Sequence, residues 1–477
     1  MSKNWNMGTI EQNSFGAIFF STHRLYQYLV AATGTICIIS SEMHFGWTSP
    51  SLPALTDGSY KFRITNSEAS WLAVILLAGT VLGAVIAGRL TDILGRKKII
   101  LITSVPLWIG WITIGLAKSS TALFVARFVA GISSGLSFST VPMYLAEIAE
   151  PKIRGLVTSL CPVCVVLGVL SINVIGSIFT IDTTAYLASS LPLILFITFI
   201  WMPESPSYLL QKSKREKAIK VLNLLREKNE AVEELDRITK SLAESTEEGR
   251  LVDLFMDKTN RKAVLIAYGL RTIQQCCGAT ALTFYCKTIF QESESILSSN
   301  VSTIIYFSLQ LLVSILAIFL VDIYGRKPLL LVSTIGTTLT LFSMSFYLFM
   351  KDHTGIMVSH LKYLPLIALF LNIIFFSVGV RIVPLLMMGE VFSRKIKGKA
   401  LCVGTIYYSI LAMIFAKVFY DTKEAYGLFV PFFGFSVLSF CSIFFVTFLV
   451  PETKGLNLEE IQEILKGNVI ERTDSKL

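Results

Sequence analysis

The chain has 477 residues, of which 53% are apolar and only 16% charged, with a formal net charge of +9. Soluble domains run nearer one quarter charged, so composition excludes an ordinary soluble enzyme or binding domain of this length. A nucleic-acid binder would collect its positive charge on one soluble face among interleaved aromatics, whereas here Lys and Arg are scattered among short loops.

Residues 1–25 are polar and mixed, with no cleavable signal pattern, and read as a cytosolic N-terminal segment. Apolar runs of about twenty residues, the length that crosses a hydrocarbon core as a helix, follow near 26–47, 70–89, 99–117, 120–146, 156–179 and 184–202. Six more lie near 262–289, 298–321, 328–350, 363–388, 399–420 and 428–450. One such run could be a buried helix of a soluble protein; twelve could not. The fold class is therefore an all-α polytopic membrane protein, with an N-terminal bundle over 26–203, a linker over 204–261, a C-terminal bundle over 262–450 and a cytosolic tail over 451–477. In the linker, Ile219, Leu222, Leu225, Val232, Leu235, Ile238 and Leu242 recur among charges at helical spacing, which predicts short amphipathic helices lying on the bundle.

With the N-terminus inside, the cytosolic loops carry Arg89, Arg96, Lys97, Lys98, Lys152, Arg154, Arg326, Lys327, Arg394, Lys395, Lys397 and Lys399. The opposite loops hold Lys61, Arg63, Lys118, Lys351, Lys362 and Lys423. This is the positive-inside asymmetry, so the net charge reports orientation.

Three landmarks occur twice in the same order. GRLTDILGRKK (88–98) is matched by VDIYGRK (321–327), Glu147-IAEPKIRG by Glu390-VFSRKIKG, and PES (203–205) by PET (451–453). Three matches in register mark an internal duplication of six spans, and an even number of spans per copy gives both copies one orientation. Gly95 allows a tight turn after Asp92, and Arg89 lies one helical step from Asp92. Glu147 with Arg154 forms a second opposite-charge pair; Asp322, Arg326, Glu390 and Lys397 are the matching groups. Together with Arg96 they predict a charged belt at the cytosolic mouth that holds the two halves together and switches by breaking. A plainer role, anchoring loops to headgroups, explains the basic residues but not the acids at matched places.

The eight cysteines lie in predicted spans without ligand spacing and read as small buried hydrophobes. The Asn300-Val301-Ser302 sequon stands too near the eighth span to be a good acceptor. No nucleophile–base pair, metal cluster or phosphate loop is visible, so no enzyme activity, cofactor or metal is expected.

GRLTDILGRKK, ARFVAGISSG, YLAEIAEPKIRG, PESPSYL, QQCCG, VDIYGRK, MMGEVF and PETKG, in this order, resemble the sugar porter family of the major facilitator superfamily over nearly the whole chain. FGWTSPSLPAL (45–55), SEASW (67–71) and PLLMMGEVF are similar to its trehalose transporter-like branch. The resemblance implies two six-helix bundles around a midplane sugar site, alternating access, and intracellular helices at the cytosolic mouth.

Laid on this sequence, the family's sugar-binding pattern gives Gln274 and Gln275, Thr280 where an Asn is expected, Gln310 for another Asn, and Tyr408 in place of the eleventh span's Asn-Trp pair. Pro162 stands for a Gln and Leu385 for a Trp. Arg381 interrupts the Gly/Pro-rich stretch SVGVRIVPLL, and Arg271 lies one turn before Gln274. Charges at such depth need a cavity or a partner, and Glu42 and His44 are the expected partners. Either the two arginines bias the cavity toward an anionic solute, or they are neutralised by Glu42 or backbone carbonyls and serve packing. Thr48 stands where proton-coupled relatives place an Asp. A passive carrier of trehalose or a hexose in the plasma membrane follows, with proton coupling through Glu42 as the alternative. A non-transporting sugar sensor is disfavoured by the short stretch after PETKG. The oligomeric state is left open.

Overall fold

The computed structural model describes residues 22–244, 252–294, 296–353, 361–393, 396–456 and 458–466. Residues 1–21 and 467–477 of the expected terminal segments, linker residues 245–251, and Arg394 and Lys395 lie outside the described residues. Everything regular in the described chain is helical.

The first six spans are Thr22–Gly46 with its extension Thr48–Thr56, Asn66–Leu94, Arg96–Gly115, Ser120–Ile148, Arg154–Ile178 and Ile181–Phe199. The second starts on a capping box: Thr65 Oγ1 accepts the Glu68 N–H at 3.2 Å, and the Glu68 carboxylate accepts the Thr65 N–H at 2.9 Å. Its middle lies against the fourth span along a glycine seam. A Cβ built on Gly79, Gly83, Gly131 or Gly135 would collide with the facing backbone, so these backbones meet as closely as small residues permit in a membrane.

The seventh span is broken into Lys258–Cys276, Ala279–Phe284 and Cys286–Glu292. The eighth, ninth, eleventh and twelfth are Ser299–Tyr324, Arg326–His353, Lys397–Tyr426 and Phe429–Leu449, and the tenth is split into Leu364–Val378 and Val383–Glu390. Of the twelve expected spans, eleven are, among the described residues, helices long and apolar enough to cross a membrane; the seventh is interrupted at Gly278, whose φ is 78°, and again at Tyr285. Phe440, Phe444, Phe448 and Ile197 stand exposed on the outside, an apolar skin suited to lipid.

Between spans six and seven run Pro206–Gln211, Arg215–Leu225, Lys228–Glu244 and Asp253–Met256. Ala218, Leu222, Leu225, Ala231 and Leu235 supply their buried face, while Ile219 and Val232 are exposed. The expected amphipathic stripe is thus rotated, with alanines replacing those two residues on the packed side. Gln27 Nε2 donates to Leu225 O at 2.7 Å and Arg226 Nη1 to Ile148 O at 2.9 Å, which fixes Arg215–Leu225 to the first six spans.

Candidate functional site

At the end of the molecule that carries the Gly-Arg-Lys loops, each half builds the same bracket. In the first half, Arg96 lies 3.2 Å from Glu147 and 3.4 Å from Asp92, and Ser205 Oγ donates to Glu147. In the second, Arg326 lies 2.9 Å from Glu390 and 3.6 Å from Asp322, and Thr453 Oγ1 donates to Glu390 at 2.5 Å. The acids of the PES and PET motifs close the loop. Glu204 accepts the Lys97 N–H at 3.0 Å, and Glu452 accepts those of Arg326 and Lys327 at 3.0 Å each. Gly95 and Gly325 make room for these carboxylates, with φ of 94° and 92°. A Cβ on Gly325 would come within 2.7 Å of Glu452 Oε2.

Three expectations are corrected here. Asp92 pairs with Arg96, not with Arg89, which is exposed and has no acid in ion-pair distance among the described residues. Glu147 pairs with Arg96 rather than Arg154, whose Nη2 reaches the Ala149 carbonyl at 3.5 Å and whose Nε is unpartnered. The brackets also join helices within one half and do not tie the halves together. Lys397 begins the eleventh span with its ammonium beside Gly389. Sequence reasoning used Glu204, Ser205, Glu452 and Thr453 only as landmarks; their recurrence at matched places was the signal that they belong to the brackets.

Polar contacts between the halves gather at the opposite end. Asn66 Nδ2 donates to Glu424 at 2.5 Å, Lys417 Nζ to Ser70 Oγ at 2.9 Å, and the Lys287 N–H to Ser49 Oγ at 3.4 Å. The Lys417 ammonium lies 5.1 Å from the Trp71 ring centroid. Phe45 and Phe284 also meet across the halves, with centroids 4.5 Å apart. Toward the basic end, the Cys402 thiol reaches the Ala84 carbonyl at 3.6 Å.

Deep between the halves, the breaks in the seventh and tenth spans are stitched to each other. The tenth leaves helical form after Val378, and its freed backbone needs internal partners where no water competes. Ser333 Oγ accepts the Val380 N–H at 3.0 Å. Gln274 Nε2 donates to the carbonyls of Val380 and Arg381, both at 2.9 Å, while its Oε1 accepts Arg271 Nη1 at 2.9 Å. Gln274 is therefore engaged in holding the break. Gln275 is the reverse: it is fully buried, and neither side-chain Oε1 nor Nε2 has a partner. Thr280 Oγ1 and the Tyr285 hydroxyl, on the same broken span, are likewise buried and unpartnered. Tyr285 had no sequence signal. Gln310 is 3% exposed in the eighth span, which packs on the last piece of the seventh. Tyr408 presents its ring to Arg271, 5.0 Å from centroid to guanidinium.

His44 is not a partner of the two arginines: its ring stacks on Trp111 at 3.8 Å and its Nε2 meets the Leu107 carbonyl at 3.2 Å. Glu42 is buried and makes no ion pair with either arginine among the described residues. Thr48 is fully buried with an unpartnered hydroxyl. The cysteines are all free; Cys402 is half-buried and Cys441 exposed, the rest buried.

Two six-helix halves meeting around unsatisfied polar groups define a multi-pass membrane carrier of the major facilitator fold. Residues 5–465 match the sugar (and other) transporter family, and the chain belongs to that family. It is 34% identical over 448 residues to a facilitated trehalose transporter homologue of Drosophila simulans, covering 93% of this chain and 91% of that one. It is 34% identical over 454 residues to the facilitated trehalose transporter of Polypedilum vanderplanki, covering 93% and 89%. Against the Drosophila willistoni facilitated trehalose transporter, 33% identical over 428 residues, the match takes in 89% of this chain but 49% of the relative, so the chain spans about half of that protein. Among solved structures, the proton:xylose symporter XylE bound to 6-bromo-6-deoxy-D-glucose superposes with a TM-score of 0.75 at 20% identity, over 92% of this chain and 99% of that one. The inward-open xylose transporter XylE from E. coli gives 0.76 at 20% identity, over 92% and 99%.

Proposed function

We propose that this chain is a facilitative, alternating-access sugar carrier of the plasma membrane, with both termini in the cytosol and trehalose or a hexose as its solute. The supporting observation is the set of buried, unpartnered groups on the broken seventh span: Gln275, Thr280 and the Tyr285 hydroxyl. Buried polar atoms without partners are rare enough to need a reason, and sugar hydroxyls, which both donate and accept, supply one. The relatives are named for facilitated trehalose transport, and Thr48 offers no proton to couple. With the basic end in the cytosol, the contacts at Asn66, Ser70 and Ser49 shut the outer mouth, so the conformation faces inward. Gln274 orders the gating break in the tenth span, and the two brackets keep each half rigid while it rocks.

The test is uptake of labelled trehalose and glucose into liposomes holding the purified protein. Uptake should exceed that of empty liposomes, stay unchanged under an imposed pH gradient, and fall about tenfold in Gln275→Ala, the loss expected for one hydrogen bond of about 1.4 kcal/mol. No sugar uptake would overturn the reading. Acceleration by a proton gradient would make Glu42 a proton carrier instead.

A further inference from the structure

Three arginines stand within the membrane-spanning helices deep in the protein, and their surroundings differ. Arg127 is fully buried and closed off: its guanidinium donates to the Leu72 carbonyl at 3.2 Å, the Ala73 carbonyl at 3.1 Å and the His44 carbonyl, with the Trp47 ring 5.4 Å away. Carbonyls satisfy it, and packing is a sufficient role. Arg271 is partly satisfied, by Gln274 Oε1 at 2.9 Å, Met388 Sδ at 3.2 Å and the face of Tyr408. Arg381 is left open. Its guanidinium makes no hydrogen bond and no ion pair among the described residues, and its Nε is buried without a partner. Leaving a buried donor and a charge unmatched inside a membrane protein is unfavourable unless something else enters to meet them.

Arg271 and Arg381 belong to one locus. Gln274 joins them, accepting from the Arg271 guanidinium while donating to the Arg381 carbonyl, and the Tyr408 ring lies against Arg271. Neither guanidinium has a carboxylate in ion-pair distance among the described residues, so the locus carries positive charge in excess. Gln275 and Thr280, with their free polar atoms, lie one turn or two along the same seventh span.

We propose that Arg271 and Arg381 form an anion subsite beside the sugar-binding groups, and that the carrier accepts a carboxylate-bearing sugar alongside neutral ones. A planar carboxylate matches the two-donor fork of a guanidinium, and Arg381 has that fork unoccupied. The inference rests on the transport reading, because it assigns a solute class to the same site.

The experiment uses the full chain in liposomes with labelled glucuronate and glucose, and in detergent with thermal unfolding as a second readout. Glucuronate should enter, compete with glucose, and raise the unfolding temperature. In Arg381→Gln the ratio of glucuronate to glucose uptake should fall at least about tenfold, the loss of one charge-assisted contact, and the glucuronate stabilisation should disappear; Arg381→Lys should restore part of both. Glucose uptake with no entry or competition by glucuronate overturns the subsite, as does an unchanged ratio in Arg381→Gln. If no sugar moves at all, the transport reading fails, and the subsite is then decided by whether glucuronate stabilises the wild type and not Arg381→Gln.

Discussion

At the basic end of the molecule Arg96–Glu147–Ser205 and Arg326–Glu390–Thr453 are two copies of one device, each inside its own half. At the opposite end Asn66–Glu424, Lys417–Ser70 and Lys287–Ser49 run from one half to the other, each as a single contact. A duplicated bracket stiffens each half as a body. A contact between bodies is what must part when they rock. The same sequence thus places strong charge pairs where nothing should move and weaker polar contacts where something must.

The largest expected effect comes from breaking a bracket. Arg96 and Glu147 side chains are 8% and 17% exposed, Arg326 and Glu390 14% and 24%. Removing one partner of a buried pair strands the other and costs about 3–5 kcal/mol. Arg96→Ala should therefore lower the unfolding temperature of the detergent-purified protein strongly, and Arg326→Ala somewhat less. Equal or negligible losses would remove the distinction. Next in size is their independence: the double variant should match the summed single losses within about 0.5 kcal/mol, as for sites in separate bodies. A coupling above about 1 kcal/mol would show that the brackets meet across the halves.

The duplication was legible in the sequence because it is written in residue identity: Asp-x-x-Gly-Arg-Lys, the Glu after the fourth and tenth spans, and PES with PET. Twelve spans were legible from apolar length. Pairing within the belt was not. Arg89 is as close in sequence to Asp92 as Arg96 is, Arg154 is far closer in sequence to Glu147 than Arg96 is, and only the packing of the third span against the fourth brings Arg96 to Glu147. Equally hidden was the division of labour between Gln274 and Gln275. Neighbours on a helix point about 100° apart, so one amide is taken up by the tenth span's break while the other stays free. His44 illustrates the same limit: its distance along the chain from Glu42 said nothing of the Trp111 ring against which it lies.

The latch at the opposite end should respond differently from the brackets. Asn66→Ala with Lys417→Ala removes two cross-half hydrogen bonds, each worth about 1 kcal/mol net, and should leave thermal stability nearly unchanged. It should shift the balance of open and closed forms at that end about tenfold or more. Labelling of a Thr48→Cys probe by a membrane-impermeant thiol reagent from that side, with the unsubstituted protein as blank for native cysteines, would report the shift. A probe that stays as protected as before would mean that the apolar Phe45–Phe284 contact, rather than the polar latch, sets closure.

The smallest effect separates the two brackets from each other. Glu204 accepts the backbone N–H groups of Lys97 and Ser205, whereas Glu452 accepts those of Arg326, Lys327, Thr453 and Lys454. Burial alone would raise the Glu452 carboxyl, but these four donors overcome it and hold the group below the ordinary glutamate range. A carboxyl lowered on folding adds stability that is fully present above its unfolded pKa and is lost as pH falls through its folded one. The second half should therefore shed a small increment of stability as pH falls through and below the ordinary glutamate range, a loss that Glu452→Gln no longer shows, because an amide keeps an acceptor oxygen but cannot titrate. Unfolding curves of the two proteins across the acid range measure this. Parallel curves would mean that the four N–H groups serve the turn at Gly325 whether or not the residue they surround is charged.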